Sequence, residues 1–192
     1  MSVNGNGLAY WQLKLRAMAW LVMGRREAAD AVFCTMLEGW PLDAYALASR
    51  ANVRAQLGRR DAAIADAQAM VAAHPKRSAA DWFNLAFLLE GAGRVAEAEP
   101  AFRGAVALDP KLDRAWYGLG LTLIQLRRFD EAVAALKRNT ELQPMSPYGW
   151  YQLARVQMDR HEPDEARRII RHLKGFEPKV AAQLERETGL AA

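Results

Sequence analysis

Five prolines set the geometry of this chain. Pro41, Pro75, Pro110, Pro144 and Pro178 follow one another at intervals of 34, 35, 34 and 34 residues. Ala29, Ala63, Ala98, Ala132 and Ala166 keep step, each twelve residues ahead of its proline. A recurrence at that period marks stacked helix–turn–helix units, each too small to bury its own apolar face without a neighbour. The spacing therefore predicts an all-α array before any local propensity is weighed.

Counting from the prolines gives five units, 10–43, 44–78, 79–112, 113–146 and 147–180. Within each, apolar residues fall three and four positions apart and make one face of a helix. Gly24, Gly58 and Gly93 recur in mid-unit, each followed by Arg, and supply the turn between paired helices. Arg127 and His161 stand in that place in the fourth and fifth units. The late prolines cannot continue the helix before them, so they mark the passage to the next unit. Unit 44–78 has one residue more than the others, which the Pro75-Lys76-Arg77-Ser78 turn can absorb.

The third unit reads Trp82, Leu85, Ala86, Leu89, then Ala98, Phe102 and Pro110. The fourth reads Trp116, Leu119, Gly120, Leu123, then Ala132, Leu136 and Pro144. The fifth reads Trp150, Leu153 and Ala154, then Ala166, Ile170 and Pro178. This pattern resembles the tetratricopeptide repeat, W-x2-L-G-x2-Y, A-x3-F and P. The resemblance covers about 170 residues and implies a right-handed superhelical solenoid of antiparallel helix pairs. The small residues Ala86, Gly120 and Ala154 then sit where paired helices approach closely. In the first two units Leu13 and Leu47 replace Trp, and Arg16 and Arg50 occupy slots expected to hold Leu. Outer repeats show a face to water and are often atypical; alternatively, these arginines belong to a polar contact or a second partner surface.

Residues 1–9 read as a disordered lead and 181–192 as a capping helix and tail, the helical pattern running from Lys179 to Thr188. The amino terminus lacks the basic start and apolar run of a signal peptide, and Lys14 and Arg16 interrupt the apolar stretch from Leu8 to Met23. The single cysteine, Cys34, rules out an internal disulfide and suits a reducing compartment, so a cytoplasmic protein is expected. A net charge of +4 with both signs interspersed gives only a weak preference for acidic partners.

No catalytic constellation emerges. His74, His161 and His172 have no Cys or carboxylate at metal-ligand spacing, and no glycine-rich phosphate loop is present. Cys34, beside Phe33 and Met36, reads as a packed thiol. No enzyme activity, metal or cofactor is expected.

In tetratricopeptide-repeat proteins the first helix of each pair lines a concave groove. Carried over by position, that resemblance implies a peptide-binding groove of Trp11, Lys14, Tyr45, Asn52, Phe83, Asn84, Phe87, Arg114, Tyr117, Tyr148, Tyr151 and Arg155, with Leu15, Met18, Ser49, Ala80, Leu121 and Gln152 alongside. Large aromatic side chains flanked by Asn and Arg suit protein recognition, although some could pack between neighbouring helices. Asn52 and Asn84 match both Asn slots of members that clamp a peptide's terminal carboxylate, and Arg114 takes one basic slot. Ala48 and Gly118 leave two further basic slots empty, which weakens carboxylate capture and leaves backbone binding.

The expected role is a non-catalytic scaffold holding a protein or peptide segment, as adaptor, assembly factor or chaperone; the middle units share the general character of bacterial secretion chaperones. Two alternatives stand beside it. The first unit could self-associate to a homodimer through Trp11, Leu15, Trp20 and Leu21. Nucleic acid could bind the basic run Arg167, Arg168, Arg171, His172 and Lys174, but other helices do not extend that charge.

Overall fold

The computed structural model describes residues 3–191, and among them the regular elements are all helices. They are α1 (Val3–Val22), α2 (Arg26–Gly39), α3 (Ala44–Gln56), α4 (Arg60–Ala73), α5 (Ala79–Gly91), α6 (Val95–Leu108), α7 (Asp113–Gln125), α8 (Phe129–Leu142), α9 (Pro147–Asp159), α10 (Pro163–Lys174) and α11 (Pro178–Thr188). Each proline-counted unit contains one consecutive pair, and α11 follows the last. The helices gather into two compact units, Met1–Ala92 and Gly93–Ala192.

In the first unit, α1 to α5 enclose Phe33, Met36, Leu47, Ile64 and Met70, all nearly free of solvent. Tyr10, Leu13, Ala17 and Trp20 of α1 join that core. In the second, Phe102, Leu119, Leu123, Leu136, Ile170 and Leu184 play the same part. Burying side chains of this size contributes about 1.5–3 kcal/mol each. Gly120 is required by this packing: a Cβ there would lie 2.7 Å from Leu136.

The mid-unit turns share one backbone solution. Gly24, Gly58 and Gly93 adopt φ of 72°, 75° and 74°, and Arg127 and His161 adopt φ of 58° and 60°. At four of these turns the residue after the left-handed position donates its N–H back across the last helical turn: Arg25 to Trp20 (2.8 Å), Arg59 to Arg54 (2.9 Å), Arg128 to Leu123 (2.9 Å) and Glu162 to Gln157 (2.8 Å). These bonds satisfy carbonyls that the helix end leaves open. Arg127 and His161 thus replace glycine in sequence while retaining its conformation.

A second recurring device joins one pair to the next. The indole Nε1 of Trp82 donates to the carbonyl of Pro75 (2.8 Å), Trp116 to Pro110 (3.0 Å) and Trp150 to Pro144 (2.9 Å). The connection at 74–78 is one residue longer than those at 109–112 and 143–146, so it holds the extra residue of unit 44–78. The indole bond forms at all three. At the first joint, where Leu47 fills the slot of that Trp, Tyr10 donates its hydroxyl to Asp43 (3.2 Å), while Asp43 also caps α3 by accepting from the Ala46 N–H (2.7 Å).

The termini differ in detail from the sequence reading. Of the lead at 1–9 expected to be disordered, residues 1–2 lie outside the described residues, while Val3–Ala9 are helical and continue α1. Once the apolar segment has nucleated a helix, each added residue needs only one further hydrogen bond. At the other end α11 starts at Pro178, ahead of 181, because proline fits the first helical position, where no N–H is needed.

Candidate functional site

Two of the singled-out polar residues come together in the first unit. Helix α3 contributes Ala48, Asn52 and Ala55, and α5 contributes Asp81, Asn84 and Phe87, to a cleft of about 270 Å³ floored by Ala67 and Met70. The alanines along α3 project no further than Cβ, which keeps its wall low. Asn52 and Asn84 are both exposed. The Oδ1 of Asn52 accepts from Gln56 Nε2, and Gln56 Oε1 in turn accepts from Arg26 Nε. That relay fixes the Asn52 amide so that its NH₂ is the group left to donate.

An adjoining cleft of about 540 Å³ shares Ala48 and Asn52 and adds Arg26, Tyr45, Ser49, Gln56 and Arg77. Arg77 is held by Asp81, with both carboxylate oxygens 2.9 Å from its Nη1. Arg26, Gln56 and Arg77 were not among the residues expected at the groove. Only the four-residue step from Asn52 to Gln56 was visible in the sequence; the other two arrive from different elements.

The aromatic residues divide by environment. The Lys14 ammonium lies 4.1 Å from the Tyr45 ring centre and 5.0 Å from that of Trp11. Tyr45 also meets Phe33 of the core edge-on at 6.0 Å, so it is partly structural. Phe83 and Phe87 stack at 6.3 Å; Phe83 is half-buried, whereas Phe87 is 62% exposed. In the second unit Tyr148 is 71% exposed. Tyr151 donates its hydroxyl to Glu187 of α11 (2.6 Å), and Arg155 lies 5.7 Å from its ring. The hydroxyl–carboxylate bond holds the Tyr151 pKa above, and the Glu187 pKa below, the ordinary values. Arg114 is exposed and Tyr117 half-buried on α7.

Gly118, one of the empty basic slots, has a packing reason. It is buried, and a Cβ there would run into the ring of Phe102. No lysine fits at that position. The basic run on α10 is largely paired within the chain: Arg167 to Asp164 (2.6 Å), Arg168 to Glu165 (2.6 Å) and Lys174 to Glu185 (2.8 Å). His172 lies against Trp150, ring centres 4.4 Å apart.

Arg50 belongs to a polar network inside the first unit, while Arg16 is exposed on α1. Arg50 binds both oxygens of buried Asp66 at 2.9 and 2.7 Å, Arg54 bridges Asp66 and Asp30 at 2.9 Å each, and Arg59 reaches Asp30 at 2.6 Å. Burial works against the Arg50 charge, but hydrogen bonds to Asp66 and Cys34 outweigh it and raise its pKa. Cys34 is half-buried, with Arg50 and Arg54 each donating to its Sγ at 3.4 Å. The sequence pointed only to its apolar neighbours Phe33 and Met36; the charged contacts come from α3.

Among the described residues no His, Cys, Asp or Glu cluster could hold a metal ion, and no helix is long and apolar enough to cross a membrane. Residues 89–151 match a family model described as tetratricopeptide repeat. Over those residues the chain carries the tetratricopeptide repeat. Solved tetratricopeptide-type structures extend the likeness to the whole array. MamA superposes with a TM-score of 0.81 at 17% identity, covering 97% of this chain and 98% of that one. YrrB, described as a TPR protein with an unusual peptide-binding site, gives 0.79 at 19% identity and 88% of each chain. A tetratricopeptide repeat protein from Parabacteroides merdae gives 0.79 at 20% identity, covering 95% of this chain and 74% of its own. No curated protein matches by sequence. The fold is an all-α solenoid of the tetratricopeptide-repeat type.

Proposed function

We propose that the chain is a non-catalytic scaffold that binds a peptide segment of a partner protein along the first helices of its pairs. The observation that carries this is the pairing of Asn52 and Asn84 on one cleft, with the exposed ring of Phe87 beside them. Two Asn amides offer donors and acceptors to a bound main chain, and a flat exposed ring supplies apolar area at low entropic cost. Arg26 on the adjoining cleft, whose partner Gln56 is uncharged, favours a segment bearing carboxylates. Trp11, Lys14, Tyr45 and Phe83 extend the candidate surface within the first unit, and the second unit has candidate residues of its own in Arg114, Tyr117, Tyr148, Tyr151 and Arg155. The peptide-binding site named for YrrB supports the same use of the fold. Such a protein serves as an adaptor, assembly factor or chaperone, and a cytoplasmic setting agrees with its unpaired thiol at Cys34.

The test is selection of displayed random peptides on the purified protein, followed by fluorescence anisotropy of the enriched sequences. Asn84→Ala combined with Phe87→Ala should weaken binding at least tenfold. Equal affinity for wild type and variant overturns the groove reading, as does failure to enrich any peptide.

A further inference from the structure

Helix α1 is apolar on two sides, and only one is covered. Tyr10, Leu13, Ala17 and Trp20 face the core of the first unit. Leu8, Trp11, Leu15, Met18 and Val22 face outward, between 46% and 88% exposed. A soluble helix that is hydrophobic all round is ordinarily buried all round. The outer residues alternate at intervals of three and four, the a/d spacing with which one helix packs along another. Trp20, expected at a self-association contact, instead turns inward and carries the Arg25 guanidinium at 4.9 Å from its ring.

We infer that this stripe is a homodimer contact, in which α1 of one copy packs along α1 of a second with Leu15 at the two-fold centre. The area agrees. The five side chains and neighbouring Leu21 expose roughly 700 Å² per copy, so a pair would bury about 1,400 Å², within the range of about 1,200–2,000 Å² typical of stable complexes. The register agrees as well: the stripe runs from Leu8 to Val22 with Leu15 midway, so an isologous contact covers its whole length. The stripe itself carries no charge to oppose the contact. No acidic or basic residue lies in the stripe; Lys14 on one flank is drawn over the Tyr45 ring, and exposed Arg16 on the other flank is long enough to carry its charge out to solvent. This contact takes up Trp11 of the candidate peptide surface but none of Asn52, Asn84 and Phe87, which line the cleft between α3 and α5.

Sedimentation equilibrium of the purified chain tests it. Wild type should show twice the 21.4 kDa chain mass at micromolar concentration, and Leu15→Glu with Val22→Glu should reduce it to the single-chain mass at unchanged helical circular dichroism. A second readout does not depend on that variant folding. In a Cys34→Ser background, Leu15→Cys should form an intermolecular disulfide under mild oxidation, and Ala134→Cys, at an exposed position of α8, should not. A wild type that is monomeric up to about 100 μM overturns the inference, as does a dimer that survives both glutamates or a Leu15→Cys chain that links no faster than the control. The Asn84→Ala, Phe87→Ala variant should dimerise like wild type, which separates failure of this contact from failure of peptide binding.

Discussion

Arg50 grips Asp66 with two nitrogens, at 2.9 and 2.7 Å, inside the first unit of the chain. Asp66 is almost fully buried, and Arg50 is its main counter-charge from α3, with Arg54 behind it. Removing one partner leaves a buried charge without full compensation. Arg50→Ala should therefore destabilise the protein by about 2–4 kcal/mol, and Arg50→Lys by a smaller but measurable amount because the forked geometry is lost. Urea unfolding followed by circular dichroism checks both; a change below about 0.5 kcal/mol for the alanine variant contradicts the role assigned to the pair.

Arg127 and His161 hold a backbone conformation that costs an L-residue about 1 kcal/mol or more. Arg127→Gly and His161→Gly should each raise stability by about 0.5–1 kcal/mol, net of the greater freedom of glycine in the unfolded chain. Gly58→Ala should lower it by a similar amount. Thermal melts of the three variants should move in those opposite directions.

Trp116→Phe keeps most of the ring but removes the donor to Pro110. The expected loss is about 1 kcal/mol, with unchanged helical content. A melting temperature equal to wild type would show that the indole bond is incidental to the joint.

Gly120→Ala places a methyl group against Leu136, which has no solvent-exposed surface. Forcing that side chain aside should cost about 1–3 kcal/mol. Combining it with Leu136→Ala should recover part of the loss by making room, a coupling that a double-mutant cycle reads directly.

The Tyr151–Glu187 bond joins α9 to α11 and is pH-dependent at both ends. The bond lowers the Glu187 pKa, so its contribution is present above the ordinary glutamate value and disappears as pH falls through the lowered one. The Tyr151 pKa is raised, so its contribution is present below the ordinary tyrosine value and disappears as pH rises through the raised one. The difference in melting temperature between wild type and Tyr151→Phe should be constant near neutrality and close at both extremes. A difference independent of pH would mean that the hydroxyl–carboxylate bond is not what the variant removes.

What the sequence disclosed follows from how local each feature is. The turns at Gly24, Gly58 and Gly93 and the helix pairs around them depend on residues within a few positions, repeated with a fixed period. The network around Asp66 does not. Arg16 and Arg50 occupy equivalent places, yet only Arg50 finds a carboxylate sixteen residues on, because Val32 stands where Asp66 would be in the earlier unit. Asn52 and Asn84 were legible as a pair through the repeat, and the structure sets them on one cleft. Arg26 and Arg77 were not: Arg26 recurs as Arg60 one unit on and so reads as part of the turn, and Arg77 lies in a connecting turn outside the repeated helix faces. The outward stripe on α1 was half-legible: its apolar content is plain, but which residues face inward depends on how α1 meets the core.

The bond from Trp82 to Pro75 spans one more residue than the equivalent bonds of Trp116 and Trp150. The surplus residue bulges within an exposed turn while the indole and carbonyl still meet. The connections between pairs therefore behave as clasps of adjustable length: an insertion at 76–77 should pass unnoticed by the helices on either side, whereas the same insertion at Gly58 or Arg127 would unseat the pair. For grafting a recognition loop or a label into this protein, the proline turns are the permissive seams.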